Sequence, residues 1–335
     1  MKIITDISVT SARMKHVWSP AQLFSSGASG FWFEPRLASG LTQDAGGTEP
    51  VNSAGDSIGN IAQRFTDGPV GTQQNVVARP KWARIPARGV RNRLRHTEDL
   101  SHMLWAKIGG TTTASTSQLS PEGQPVQSVT FAPGNPNSLI QQSFPGPLGG
   151  PGVQSLWIRA ASPTSVRLRV TINGASHASP TVSVGNDWQR IVQIRGNPEN
   201  VINAVGLQNS ASGDSGTVQI ASSQFEPGTV RTRYQRVGSE YDVTEPGSPS
   251  LWHLFSDMID DSLVFTPTQA MTDATLWFAT ETGVTILAGQ DIAAAPIDIL
   301  RGQRTFAFGA FDRPLTTSEQ AGLHRYLSEK GAPYA

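Results

Sequence analysis

Val166, Leu168, Val170 and Ile172 alternate with Arg167, Arg169 and Thr171 in the stretch "SVRLRVTING". A period of two marks a strand with one face on a core and the other toward solvent. The Asn173-Gly174 pair that follows is a tight-turn signal. The same grain runs through the middle of the chain. "SLWIRAAS" (155–162), "TVSVGNDWQRIVQIRG", "NVINAVGLQNS" and "GTVQIASSQFEPG" each supply one or two short strands separated by turn residues. Strands recurring at roughly ten-residue intervals, with no helical period between them, predict a β-sandwich or jelly roll over residues 91–245.

The flanks read differently. Residues 24–90 form a turn-rich unit, in which Phe31, Trp32 and Phe33 start a strand that Pro35 ends and "NVVARPKW" supplies a second. Residues 246–335 open with "PSLWHLFSDMIDDSLVFTP" and continue through "ATLWFAT", "VTILAG" and "TFAFGAF". They close in the one convincing helix. Thr316 and Glu319 have capping-box spacing, Leu323, Tyr326 and Leu327 share a helical face, and Gly331 and Pro333 provide the stop. Residues 1–23 hold a short strand, "KIITDISVT", whose alternation is imperfect; the segment fits a docking arm or a loose terminus equally well. The expected fold is mainly β with one C-terminal helix.

Composition narrows the partners. The 335 residues carry 26 basic and 26 acidic side chains, so no basic excess points to nucleic acid. Thirty-three glycines and 23 prolines suit short strands and tight turns. There is no cysteine, which removes disulfides, thiolate metal sites and cysteine nucleophiles and fits synthesis in a reducing cytoplasm. The first residues lack the apolar core of a signal peptide, and no stretch approaches the ~18 apolar residues of a membrane span. Release by cell lysis, or assembly into a particle, is the expected route out of the cell.

Catalytic motifs are missing. None of the six histidines forms a metal-binding spacing, and no nucleophile elbow or P-loop is present. Glu34, Asp44, Glu98 and Asp99 supply carboxylates, but no pair is marked by context as a glycosidase couple. Asp257, Asp260 and Asp261 are the best candidate for a hard cation such as calcium, although they lack the spacing of a calcium loop; a solvated turn is the alternative. No other cofactor is expected.

A binding surface is the better prospect. If strands 155–162 and 165–172 lie side by side, Trp157 and Arg159 join Arg167 and Arg169 in one patch. Sugar rings stack on aromatic faces, and guanidinium forks grip carboxylates and hydroxyls. Such a patch suits an acidic or neutral polysaccharide. The alternatives are a core position for Trp157, with the arginines solvated or in a subunit interface. Arg231 and Arg233, near the end of the module, either touch ligand or solvate a strand.

Three stretches carry a resemblance. Residues 23–80, with Trp32 to Pro35 and then Leu41 to Val51, resemble a unit of tailed-phage and prophage structural proteins. "RNRLRHTEDLSHMLW" is similar to the opening of the carbohydrate-binding-type jelly roll in such proteins, and "QFEPGTVRTRYQRV" to its closing strand. In that closing strand Phe225 is expected to pack, Pro227 and Gly228 to turn, and Tyr234 to anchor. The last ninety or so residues, with "MIDDSLVFTP" and "FGAFDRPLTTSEQAGLHRYLSEKGA", resemble the second half of a concanavalin-like lectin sandwich. "RFTDG" departs from the family's usual loop, so no role is carried over to it.

The resemblance implies a nested order, with the jelly roll of 91–245 inserted between lectin-like halves at 24–90 and 246–335. It also implies a head spike or fibre of a tailed phage or phage-derived gene transfer agent. Residues 1–23 would anchor to capsid or other particle proteins, the β domains would meet host capsular or surface polysaccharide, and the subunit would form a trimer or pentamer. The alternatives are a purely structural decoration or base protein, and a polysaccharide-degrading spike enzyme.

Overall fold

Strands from both ends of the chain share one sheet. In the computed structural model, which describes residues 18–64, 69–195, 201–210, 212–213 and 216–331, Gly30–Phe33 pairs antiparallel with Arg304–Phe311, placing Phe31 opposite Ala310 and Phe33 opposite Phe308. Lys81–Pro86 likewise pairs with Ser250–Phe255. Met271–Thr280 and Gly283–Ile292 extend this long sheet on one side, and Arg236–Ser239 and Asp242–Thr244 on the other. A second sheet of five very short strands, among them Leu41–Thr42, Asn60–Ile61 and Val264–Phe265, faces it. Phe31, Phe33, Ile61, Phe265 and Phe308 fill the core between them.

The other face of the long sheet is covered too. Trp32, Ala307 and Phe311 point into a second core with Leu23, Phe24, Leu323 and Leu327. Both faces being buried explains why "GFWF" and "TFAFGAF" read as unbroken apolar runs. The helix Thr317–Gly331 starts as its capping box requires. Glu319 N donates to Thr316 Oγ1 at 3.3 Å, and Thr316 N donates to Glu319 Oε2 at 2.8 Å. Leu323 and Leu327 are fully buried. Of the segment expected to anchor to a particle, 1–17 lie outside the described residues. Trp18 sits edge-on to Tyr326 at 6.5 Å, and Leu23 is buried, so the end of that segment is part of this sandwich.

The middle of the chain forms a separate sandwich of two five-stranded sheets, supplemented by one short strand. Its strands run from Trp105–Ile108 to Gly216–Pro227. Val129, Ile158 and Ile220 from one sheet meet Leu168, Val205 and Leu207 from the other. Each such side chain contributes roughly 1.5–3 kcal/mol by leaving water. The strands at 236–239 and 242–244 fall inside the stretch expected to be jelly roll, but belong to the long sheet, because Val237 and Val243 bury against the helix-side core. The protein is mainly β, a jelly-roll-type sandwich beside a second β-sandwich, with a C-terminal helix.

Candidate functional site

The four residues expected to form one patch fall into two groups. Gly152–Arg159, carrying Trp157 and Arg159, pairs with Gln189–Arg195 and Gly216–Pro227. Thr164–Ile172, carrying Arg167 and Arg169, pairs with Ala175–Ala178, Val182–Val184 and Val201–Asn209 in the opposing sheet. Consecutive strands here cross between sheets instead of forming a hairpin. Both strands alternate correctly, and both send their aliphatic residues inward, so their polar faces point to opposite sides of the sandwich. Alternation fixes which face a side chain takes; it is silent on which sheet the strand joins.

The outer face of the Trp157 sheet is built from cross-strand neighbours. Trp157 lies opposite Arg190, whose guanidinium sits over its ring at 5.7 Å. Arg159 lies opposite Gln219; its Nε donates to Gln219 Oε1 at 2.7 Å, and Nη2 reaches Gln118. The same guanidinium covers the Trp188 ring at 4.7 Å. Two arginine–indole stacks therefore stand side by side, with Arg190 held further by Ser155 Oγ at 3.0 Å and Glu122 at 3.3 Å. Burial pulls the Arg190 guanidinium below its ordinary value, and Glu122 opposes that. Trp157 is half-buried beneath Arg190, neither a core residue nor an open platform. Trp188 and Arg190 were not singled out from the sequence. The signal that could have found them is "GNDWQR", a turn placing a tryptophan just before a strand.

The outer face of the Arg167 sheet holds a hollow of about 340 Å³, lined by Pro136, Asn137, Arg167, Arg169, Ser176 and Gln208, among others. Arg167 donates from Nε to the Asn209 carbonyl at 3.0 Å and from Nη2 to the Pro136 carbonyl at 3.1 Å. Arg169 reaches Ser176 Oγ through Nη2, while its Nε is buried without a hydrogen-bond partner among the described residues. Burial, and then the charge of Arg167, hold the Arg169 guanidinium below its ordinary value. Among the described residues, no acidic side chain lines this hollow.

The stretches resembling the module's opening and closing meet in a buried polar junction. Asn92 Nδ2 donates to the carbonyls of Ser223 (3.2 Å) and Gln235 (2.9 Å), and its Oδ1 accepts from Phe225 N (3.1 Å) and Leu94 N (3.2 Å). Gln235 Oε1 accepts from Arg91 N at 2.7 Å, and Arg91 Nη2 bonds Glu245 at 2.9 Å. Phe225 is fully buried, and Gly228 takes φ 107°, a backbone only glycine adopts readily. Tyr234 is buried with its hydroxyl 2.7 Å from Thr97 Oγ1, and burial raises its pKa. Arg231 and Arg233 are exposed, and Arg233 donates to the Pro246 carbonyl at 2.8 Å.

The remaining candidates have structural partners. Asp44 accepts from the amides of Thr48 and Glu49, and Glu49's amide is the main cause of its lowered pKa. Glu98 pairs with Arg236 at 3.1 Å, Glu34 accepts from the Tyr326 hydroxyl at 2.6 Å, and Asp99 accepts from Ser101 N at 3.0 Å. Asp257, Asp260 and Asp261 do converge, each offering an oxygen within 4.8 Å of the others. Two of those carboxylates also close the loop, Asp261 on the Asp257 amide (2.8 Å) and Asp257 on the Ile259 amide (2.9 Å). Burial raises the pKa of Asp261. Among the described residues, no helix is long and apolar enough to cross a membrane.

No protein-family model matches the chain, and no curated protein matches it. Solved structures give partial overlaps. An arabinose-bound α-L-arabinofuranosidase is 13% identical over 44% of this chain, with a TM-score of 0.33. The chain spans only 27% of that enzyme's length. The CBM22-1 xylan-binding domain from Paenibacillus barcinonensis is 11% identical over 39% of this chain and 90% of its own, with a TM-score of 0.32. A family 29 carbohydrate binding module complexed with cellulohexaose is 11% identical over 41% of this chain and 92% of its own, with a TM-score of 0.31.

Proposed function

We propose that this chain is a non-enzymatic surface subunit, a head spike or fibre of a phage-type particle, that binds host cell-surface polysaccharide through its middle sandwich. The observation that carries the binding role is the outer face of the Trp157 sheet. There Trp188 and Trp157 alternate with Arg159 and Arg190, bordered by Gln118 and Gln219, and Arg190 is tied from below to the buried Ser155. Both indoles are partly exposed, and their apolar surface together with the neighbouring guanidinium and amide groups offers what sugar rings and their hydroxyls bind. The particle role is supported by the resemblance of residues 91–105 and 224–237 to a phage module's opening and close. Weak sugar sites become effective when many copies sit on one particle, which favours a homo-oligomer carried on capsid proteins.

A second role has its own observation. Val192 and Ile194 lie on the same outer face as Arg190 and are 46% and 52% exposed on an edge strand. Exposed aliphatics there favour a subunit interface, making the chain a structural component.

Affinity electrophoresis of the purified chain through gels containing neutral polysaccharides separates these roles. Binding predicts retardation in at least one gel and a several-fold loss with Trp188→Ala. Free migration in every gel, together with a dimer or larger species that Val192→Ser/Ile194→Ser dissociates, would assign the face to assembly.

A further inference from the structure

We propose that the hollow containing Arg167 and Arg169 is a second binding site that takes an anionic substituent, a carboxylate or a sulfate ester, on an acidic polysaccharide; the polysaccharide rests on the glycan-binding role above, whereas the anion preference rests on this hollow alone.

Two residues apart on one strand, Arg167 and Arg169 share a face with their Cα atoms about 7 Å apart, and the charge of Arg167 acts on Arg169. Like charges this close repel, and each has lost part of its hydration. Neither has an ion-pair partner among the described residues. Arg167 is held in place by two backbone carbonyls, which orient it without neutralising it. Arg169 keeps an orphaned buried Nε–H. An anion between them would relieve the repulsion and accept charge-assisted hydrogen bonds in the fork geometry guanidinium favours. The neutral lining suits the rest of a sugar. Asn137, Gln208 and Ser176 offer amide and hydroxyl groups. The volume is within the range of small-molecule sites, about 300–1,000 Å³.

The test compares ligands that differ only in charge. Polygalacturonate is run against its fully methyl-esterified form, and dextran sulfate against dextran, by affinity electrophoresis of the full chain. Expected is binding of at least one charged member over its neutral counterpart, weakening with added salt. Arg167→Gln and Arg169→Gln should each weaken that binding about tenfold, the value of one charge-assisted hydrogen bond. Arg325→Gln, on an exposed arginine of the C-terminal helix, should leave it unchanged. Melting temperatures within error of the parent exclude unfolding as the cause.

Preference for polygalacturonate identifies a carboxylate, and preference for dextran sulfate a sulfate ester. Equal binding of charged and neutral members, or charged-ligand binding that survives both arginine substitutions, overturns the anion site and leaves the Trp188 face standing. Arginine-dependent binding of charged ligands with no neutral polysaccharide bound does the reverse. No binding of any ligand overturns both.

Discussion

Arginines occupy two kinds of place in this molecule. At the seam between the sandwiches, Arg84 and Arg236 share Asp242, each at 2.6 Å; Arg91 meets Glu245 at 2.9 Å, and Arg95 meets Glu240 at 2.7 Å. On the outer faces of the middle sandwich, Arg159, Arg167 and Arg169 bond amides, backbone carbonyls and a hydroxyl. The residue type is the same and the electrostatics are opposite. A guanidinium held by a carboxylate has its charge spent on the fold. One positioned by neutral acceptors is equally ordered but keeps its charge for something outside the chain. Position relative to acids, not arginine content, separates the seam from Arg159, Arg167 and Arg169; on these outer faces Arg190 differs, meeting Glu122 at 3.3 Å.

The sharpest way to break this comparison is to cut the seam. Asn92→Ala removes a side chain that makes four hydrogen bonds and is almost wholly buried. It leaves the amides of Phe225 and Leu94 and two carbonyls without that partner, so a loss of about 3 kcal/mol is expected. Urea denaturation measures it as a lower midpoint. An unchanged midpoint would mean that the polar junction is not what joins the sandwiches.

His253 is a third case, a basic group in the core with no acid beside it. Burial, reinforced by Arg304, pushes its pKa down to about 3, so the ring is neutral in the folded protein. Unfolded, it titrates near 6.5. The folded value is the lower one, so the neutral form's stability is fully present above pH 6.5 and is lost as pH falls from there toward 3. Roughly 2 kcal/mol should disappear between pH 6.5 and pH 5. Glu319, depressed to about 2 by Arg313 and the helix cap, adds its loss only below its ordinary range near pH 4.5. His96, whose pKa burial also lowers, acts in the same window as His253. The test is therefore a difference. His253→Leu should flatten the fall in melting temperature between pH 6.5 and 5 relative to the parent, and parallel curves would show that His253 is not the group responsible.

How much of this was legible in the sequence follows from what each signal encodes. Strand identity was readable at Val166 to Ile172 because a period of two is local. The helix start at Thr316 and Glu319 was readable because a cap is complete within four residues. Sheet membership was not. Trp157 and Arg167 are ten residues apart in sequence and on opposite sheets, and only the non-local pairings with Arg190 and Gln208 decide that. The seam arginines were invisible as a group for the same reason. Arg84 and Asp242 are 158 positions apart. Tyr234 was marked by resemblance, and its buried bond to Thr97 supplies the physical reason.

Tyr234→Phe sharpens the seam side of the comparison by a single atom. It deletes the hydroxyl bonded to Thr97 Oγ1 and keeps the ring. Thr97 Oγ1 still accepts from Val237 N at 3.1 Å, so only part of its bonding is lost. About 1 kcal/mol is expected, readable as a small shift in urea midpoint with an unchanged slope. A loss as large as that of Asn92→Ala would move Tyr234 from a peripheral anchor to the centre of the network.

The smallest expected effect carries the comparison furthest. If the charge of Arg169 is not spent on the fold, Arg169→Gln should change stability by no more than about 0.5 kcal/mol, the range of surface substitutions. Removing one of two neighbouring like charges offsets the lost bond to Ser176. The change should even turn slightly stabilising at low ionic strength, where the repulsion from Arg167 is least screened. Melting curves at low and high salt measure this directly. A loss of 2 kcal/mol or more would be the cost of breaking a structural contact of the seam kind. Arg169 would then belong with Arg91 and Arg236, and the distinction between spent and unspent arginines would fail at the residue on which it most depends.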